Sequence, residues 1–159
     1  MTAYLKRMPS GIVGEVSRRG TLTLEPGRVG ATAIPYGTFA KLGTGGVLAP
    51  VASGDTAAVV YGPIARPYPD QGNANNDVGP VSAPAGSVQS VLRSGYMTVK
   101  LAAGTAAKGG QVYLRTTVGE GRAVGDIEAA SGTGLVAVAS CTFMGPADSE
   151  GIVEIAYNI

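Results

Sequence analysis

A glycine-rich segment with one lysine, residues 102–115, is the first candidate for chemistry in this chain. It reads AAGTAAKGGQVYLR, and glycine loops with a lysine cradle phosphate groups in nucleotide-binding proteins. Such a loop requires a lysine after its last glycine, followed by Ser or Thr at the start of a helix. Here Lys108 precedes Gly109 and Gly110, and the residues that follow alternate as a strand does. The segment therefore predicts a turn that leads into a strand.

Two carboxylates, Asp126 and Glu128, are the next candidates. They are two positions apart on a predicted strand, so they point from one face, as a general acid and a general base would. The sequence offers neither of them an obvious catalytic partner. We therefore interpret them as an acidic face exposed to solvent.

A possible metal site is formed by Asn73, Asn75 and Asp77, whose alternate spacing resembles the start of a calcium-binding loop. The central glycine and the distal glutamate of such a loop are missing. We interpret these residues as turn-forming side chains and predict that the protein binds no metal.

The residue types that are missing restrict the chemistry further. The chain has no histidine, which is the most common general base and metal ligand near neutral pH. Its one cysteine, Cys141, lies in the apolar context AVASCTFM and is predicted to be a buried structural thiol. We expect no catalytic site and no cofactor, and we predict that the protein is not an enzyme.

Most apolar segments are short, alternate with a period of two, and are bounded by Gly, Pro, Asn or Ser. This pattern is typical of antiparallel strands, and helix signals are nearly absent. The sequence predicts an all-β domain, a jelly roll or a related sandwich or barrel. The predicted strands include residues 21–25, 47–51, 57–61, 97–101, 112–115, 124–128, 135–139 and 153–159.

Two stretches do not fit a compact strand pattern. Residues 1–30 contain many Gly and Pro residues and little apolar content, which predicts an extended N-terminal arm. Residues 63–86 form a loop longer than the connections usual in compact domains, and such loops are usually functional or disordered. We therefore divide the chain into an arm at 1–30 and a β domain at 31–159.

Charged residues make up only 14% of the chain, and the net charge is +1. Sparse charge is typical of surfaces covered by partners, but a small β domain with a polar, uncharged surface has it as well. The N-terminal region is basic and the C-terminal region is acidic, without the dense basic patch of nucleic-acid-binding proteins. The longest apolar run, Leu135–Ala139, is too short to span a bilayer. We expect no nucleic-acid partner and no membrane association.

Several passages resemble the structural cement, or head decoration, proteins of tailed bacteriophages. The similarity runs from about residue 34 to 159. It is carried by IPYGTFAK, RSGYMTVKL, AGTAAKGGQVYLR, VGDIEAA and SEGIVEIAYNI. The resemblance implies a β-rich fold on the outer surface of an assembled head, made in the host cytoplasm. It also implies two partners, the major capsid protein and the protein itself as a dimer or trimer.

Basic and aromatic residues outside the core pattern are the predicted protein-protein contacts, because Tyr and Arg are enriched in binding hot spots. For the basic residues of the arm, solvated charge on a terminus is the alternative interpretation, and for the tyrosines it is strand packing. The predicted interface residues are Tyr4, Lys6, Arg7, Arg18, Arg19, Arg28, Arg66 and Tyr68, with Tyr36 and Tyr61 as further candidate anchors.

Three other classes of function remain open from the sequence. A receptor- or glycan-binding β module of a virion is one, although the chain lacks Trp, the usual sugar-stacking residue. A β-rich tail or baseplate component is another. An enzyme is the least compatible with the residues present, because so few side chains could act as acid or base.

Overall fold

The computed structural model describes residues 11–67, 81–119 and 121–159. Within these residues the only helices are two short 3₁₀ turns, Thr44–Gly46 and Ala57–Val59. The predicted all-β fold is confirmed. The strands are β1 (Val16–Arg28), β2 (Ile34–Pro35), β3 (Phe39–Leu42), β4 (Leu48–Pro50), β5 (Val60–Pro63), β6 (Ser82–Ala83), β7 (Val88–Ala103), β8 (Gln111–Arg115), β9 (Ile127–Glu128), β10 (Leu135–Phe143) and β11 (Ile152–Tyr157).

Five strands close into a barrel in the order β7-β11-β10-β8-β9, and β9 returns to pair with β7. β9 is parallel to β7, with Ile127 opposite Leu101, and antiparallel to β8, with Ile127 opposite Leu114. The other neighbouring pairs of the barrel are antiparallel. Closure removes the open sheet edges that such strands would otherwise present.

The barrel interior is filled by apolar side chains that alternate along its strands. In β11, Val153, Ile155 and Tyr157 are buried, and the residues between them are partly exposed. Phe143 of β10 and Val112 of β8 are fully buried in the same cluster. The period-two pattern of the sequence therefore identifies the interior face of β11 and β8.

A second, smaller layer covers the N-terminal part of β7. It consists of the three-stranded sheet β4-β3-β5 and the pair β2-β6, and its own core contains Ile34, Leu48, Ile64 and Val91. β5 approaches β7 closely at Gly62, where an added Cβ would lie only 2.8 Å from Cγ1 of Val91. Glycine is required at this position because a side chain would collide with β7.

The segment predicted as an N-terminal arm is extended over residues 16–28, but it is not separate from the sheet there. It forms β1, which pairs antiparallel with β7 at the edge of the six-stranded sheet. The predicted strand at residues 21–25 lies within β1, but its apolar residues Leu22 and Leu24 remain 36% and 41% exposed. The sequence could not show this, since alternation marks a strand and not whether another layer packs on it.

Two predicted strands are shorter than expected. In the predicted strand 124–128, only Ile127–Glu128 is paired, because Gly125 has a positive φ of 97° and Asp126 accepts a 2.8 Å hydrogen bond from the Ala123 N–H in a turn. In the predicted strand 57–61, the first three residues form a 3₁₀ turn.

The predicted long loop at 63–86 is only partly described. At its C-terminal end, Ser82–Ala83 forms β6 and pairs with β2. Asn73, Asn75 and Asp77, interpreted above as turn-forming residues, lie outside the described residues.

The glycine-rich segment turns the chain between β7 and β8, as predicted. Gly104 and Gly109 have positive φ values of 85° and 79°, a conformation that glycine adopts without strain. Lys108 is exposed in this turn, and β8 begins at Gln111. The structure therefore confirms a turn that leads into a strand.

Candidate functional site

The open side of β1 is the first feature that could bind a partner. β1 is the terminal strand of its sheet, with β7 on one side. The Val29 N–H donates to the Ser87 carbonyl at 2.8 Å, so odd-numbered residues in this half of β1 direct their backbone groups toward β7. Leu24 and Pro26 therefore direct theirs to the open side. Edge strands with free backbone groups are templates for another strand.

The two ends of this open edge are limited by the fold. At the C-terminal end, the Gly30 N–H donates to the Leu48 carbonyl at 2.8 Å, so β4 covers the edge there. In the N-terminal half of β1, Arg18 lies opposite Tyr96 and Thr23 lies opposite Ser94. The residues between Arg18 and Thr23 therefore form a large bulge in β1. Bulges and proline on an edge strand restrict uncontrolled pairing. The free edge is thus concentrated around Leu24.

A groove of about 720 Å³ runs beside the face of β1 and β7 that carries Leu24. Leu22, Leu24 and Val88 line it, and Val88 is 68% exposed. We call these three residues the apolar stripe. Arg19 and Arg66 also line this groove, which we call the β1 groove. One wall is fixed to β7, because the Ala65 N–H donates to the Ser90 carbonyl at 2.8 Å.

The predicted interface arginines fall into two groups. Arg18 is held within the chain, where its guanidinium donates to both carboxylate oxygens of Glu154, at 2.9 and 2.6 Å, and lies 4.2 Å from the ring centroid of Tyr96. The hydrogen bond to Glu154 raises the pKa of Arg18. Arg66 lies 5.1 Å from the ring centroid of Tyr36 and donates from Nε to the Val13 carbonyl at 3.2 Å. These two side chains help to hold the fold together.

Arg19 and Arg28 form the second group. Both are exposed, and neither makes an ion pair with any residue in the described parts of the chain. By contrast, Arg93, Arg115 and Arg122 each contact a glutamate. Their guanidinium groups are therefore positive charges that no carboxylate in the described parts of the chain neutralises.

The other predicted anchors are placed differently. Tyr36 follows β2 directly, is 3% exposed and packs in the core of the second layer, so its ring contributes to the fold rather than to an exposed surface. The Tyr61 hydroxyl donates to Glu25 at 2.7 Å, and this hydrogen bond raises the pKa of Tyr61. The remaining candidates Tyr4, Lys6, Arg7 and Tyr68 lie outside the described residues.

A buried ionic cluster is the main feature that sequence reasoning missed. Arg115 donates from Nε to Glu128 at 2.5 Å, and both side chains are almost fully buried, with 7% and 4% of their surface exposed. Arg122 donates to the other carboxylate oxygen of Glu128 at 3.3 Å. The predicted acidic solvent face is thus wrong for Glu128, because β9 lies between β7 and β8 and its second residue is enclosed. The sequence signal for this cluster was the placement of opposite charges, Arg115 and Glu128, at the ends of two successive predicted strands.

The remaining groups offer little chemistry. Cys141 is fully buried, as predicted, and burial raises the pKa of its thiol, which disfavours the reactive thiolate. In the described parts of the chain, no group of three or more acidic or thiol side chains is arranged to hold a metal ion. The described segments also contain no helix that is long and apolar enough to cross a membrane.

Comparisons with known proteins identify the family. The family model for the XM1 gp53 minor capsid protein matches residues 1–157. A search of curated proteins found no match. Among four matching chains of solved structures is one from "The capsid of Myoviridae Phage XM1", with 22% identity, a TM-score of 0.71, and coverage of 98% of this chain and 95% of that chain. The two chains therefore share a fold. The chain belongs to the XM1 gp53 minor capsid protein family and is a structural protein of a phage head.

Proposed function

We propose that this protein is a cement, or decoration, protein that binds the outside of the major capsid protein shell and stabilises it. The observation that carries this proposal is the exposed edge of β1 with its groove, on a domain whose other large strands are closed into a barrel. A closed barrel is a rigid body, and the free edge and the apolar stripe give it a surface for a partner.

The family and the residues support a role in binding rather than in catalysis. The family is one of capsid proteins, and a cement protein must gain its binding energy from contact area across subunits. Exposed Leu, Val and Arg side chains around an edge strand supply apolar burial and charge-assisted contacts. The partners in this proposal are the major capsid protein and further copies of the chain, as a dimer or trimer on the virion's outer surface. Nucleic acid and membranes are not partners, and synthesis is in the host cytoplasm.

Arg19 and Arg28 are the described residues that we propose first for the capsid contact. Arg66 lines the same groove as Arg19 and is a further proposed contact, although its guanidinium already donates to the Val13 carbonyl. Tyr4, Lys6, Arg7 and Tyr68 remain proposed contacts from the sequence. Arg18 is a weaker candidate because Glu154 already binds its guanidinium in the chain, and a partner would have to compete with that ion pair.

Expanded heads that lack the protein provide the direct test of the proposed function. We expect the purified protein to bind such heads at a fixed ratio to the major capsid protein and to raise the temperature at which they release DNA. The bound ratio is measured by quantitative gel analysis, and disruption is followed by the fluorescence of a DNA dye during heating. Heads incubated with heat-denatured protein are the control. Absence of binding, or binding without any gain in heat resistance, contradicts the cement role.

Deletion of residues 1–10 tests the N-terminal segment separately. The cut must precede residue 11, because the Gly14 N–H donates to the Thr98 carbonyl at 2.8 Å and β1 starts at Val16. We expect the shortened protein to bind heads more weakly, since Tyr4, Lys6 and Arg7 are removed. It should unfold within about 2 °C of the full chain, because it keeps every strand of the described residues. A much larger fall in melting temperature would show that these residues stabilise the domain.

A further inference from the structure

The groove beside β1 has features that define the chemistry of its occupant, and this inference rests on the proposed function. We infer that the β1 groove receives an extended segment of the capsid shell that is apolar in its middle and acidic at its ends, and that this segment pairs with β1 as an added strand.

The backbone of β1 supplies the first argument. Leu24 directs its N–H and carbonyl to the open side, and the described residues place no strand beside it there. An extended segment can hydrogen-bond to these groups as a neighbouring strand does, and this mode of recognition requires little specific sequence in the bound segment. Pro26 offers only a carbonyl, and β4 already covers Gly30, so the pairing is short and centred on Leu24.

The apolar stripe supplies the second argument. In an antiparallel pair, opposite residues share a face, and Leu24 lies opposite Leu92 while Arg28 lies opposite Val88. Leu24 and Val88 are exposed, although Leu92 on the same face of the sheet is fully buried in the core. A bound strand with apolar side chains on this face would extend the core outward and bury the stripe.

The charges supply the third argument and indicate where the bound segment carries its acidic residues. Arg19 lines the groove next to Leu22, and Arg28 lies opposite Val88 at the other end of the stripe. Neither makes an ion pair within the described parts of the chain. A carboxylate near each end of the bound segment would neutralise them, and charge-assisted hydrogen bonds to Arg are among the strongest available at an interface.

The test compares variants of the groove with matched variants elsewhere, in binding to expanded heads that lack the protein. We expect Leu24→Asp and Arg19→Glu each to weaken binding by about tenfold or more, the size typical of interface hot spots. Leu42→Asp changes another exposed leucine, 47% exposed on β3, and Lys108→Glu reverses another exposed cation. These two controls should bind as the unchanged protein does. All four sites are exposed, so thermal unfolding should confirm that each variant folds.

Hydrogen exchange supplies a readout specific to strand addition. The Leu24 amide, which faces the open side, should exchange rapidly in the free protein and at least about tenfold more slowly on heads. A peptide covering residues 116–119, which lies away from the groove and includes the exposed Val118, should be unchanged.

The possible outcomes separate this inference from the proposed function. If the unchanged protein does not bind heads, the proposed function fails. If it binds but the groove variants and the controls bind equally well, the groove is not the contact and only this inference fails. If Leu24→Asp instead converts a dimer of the free protein to a monomer by light scattering, with head binding unchanged, the groove is a surface for a second copy and the inference is overturned.

Discussion

Replacing Glu128 by alanine is expected to lower the free energy of unfolding by about 3–5 kcal/mol, because removal of one member of a buried ion pair leaves the other charge buried without its counter-ion. Arg115 is that other charge, with 7% of its side chain exposed. For a domain of this size, such a loss lowers the melting temperature by on the order of 10 °C. Thermal and urea unfolding measure the effect.

The position of this ion pair explains why it matters to the fold. β9 consists of only two residues, and among the described strands it is the one that connects β8 to β7 and so closes the barrel. The ion pair joins Arg115 of β8 to Glu128 of β9, and the backbone adds two hydrogen bonds beside it, from the Arg115 N–H to Asp126 and from the Gly125 N–H to Arg115, both at 2.9 Å. The ion pair therefore stabilises the short pairing between β8 and β9.

Two further variants test whether the loss of stability in Glu128→Ala comes from the buried charge that loses its counter-ion. Replacing Glu25 by alanine removes a glutamate that is 49% exposed and contacts Arg93 at 3.3 Å, and exposed pairs contribute at most about 1 kcal/mol. The double variant Arg115→Met with Glu128→Leu removes both buried charges and should recover most of the loss. If Glu128→Ala and Glu25→Ala destabilise equally, the buried pair has no special role in closing the barrel.

The general fold was predictable because its signals are local. Alternation in residues 153–159 and 112–115 identified β11 and β8, and the glycines of residues 104–110 identified the turn before β8. The apolar context of Cys141 correctly predicted that its thiol is buried. Each of these inferences depends only on residues that are close together in the sequence.

The candidate site was less predictable because it depends on pairing between distant segments. Alternation predicted a strand at residues 21–25 but could not show that Leu22 and Leu24 stay exposed among the described residues. Arg18 and Arg19 are adjacent and chemically identical, yet Glu154 binds Arg18 whereas Arg19 has no such partner in the described parts of the chain. Only the register of β1 on β7 and β7 on β11 distinguishes them.

The same limit applies to Arg115 and Glu128. Each sits on a segment whose pattern suggests an outward-facing charge, and the parallel return of β9 to β7 encloses them. Non-local closure of this kind leaves no periodic signal in the sequence.

Replacing Phe39 by alanine is expected to lower the free energy of unfolding by about 3–5 kcal/mol, the usual cost of deleting a buried aromatic side chain. Phe39 is fully buried although it belongs to β3, in the smaller layer. Its ring packs edge-on against Tyr157 of β11, with the ring centroids 5.7 Å apart. It is therefore a side chain through which the second layer joins the barrel core, and its loss creates a cavity at that junction.

Leu42 is the matched control for this prediction, since it lies on the same strand and is 47% exposed. Replacing Leu42 by alanine should change the free energy of unfolding by no more than about 0.5 kcal/mol. Urea unfolding of both variants, followed by circular dichroism and by tyrosine fluorescence, also tests whether the layers unfold together. Coincident transitions are expected, because one buried ring contributes to both layers. If the Phe39→Ala variant is as stable as the Leu42→Ala variant, the second layer is held to the barrel mainly by the contacts of β5 with β7.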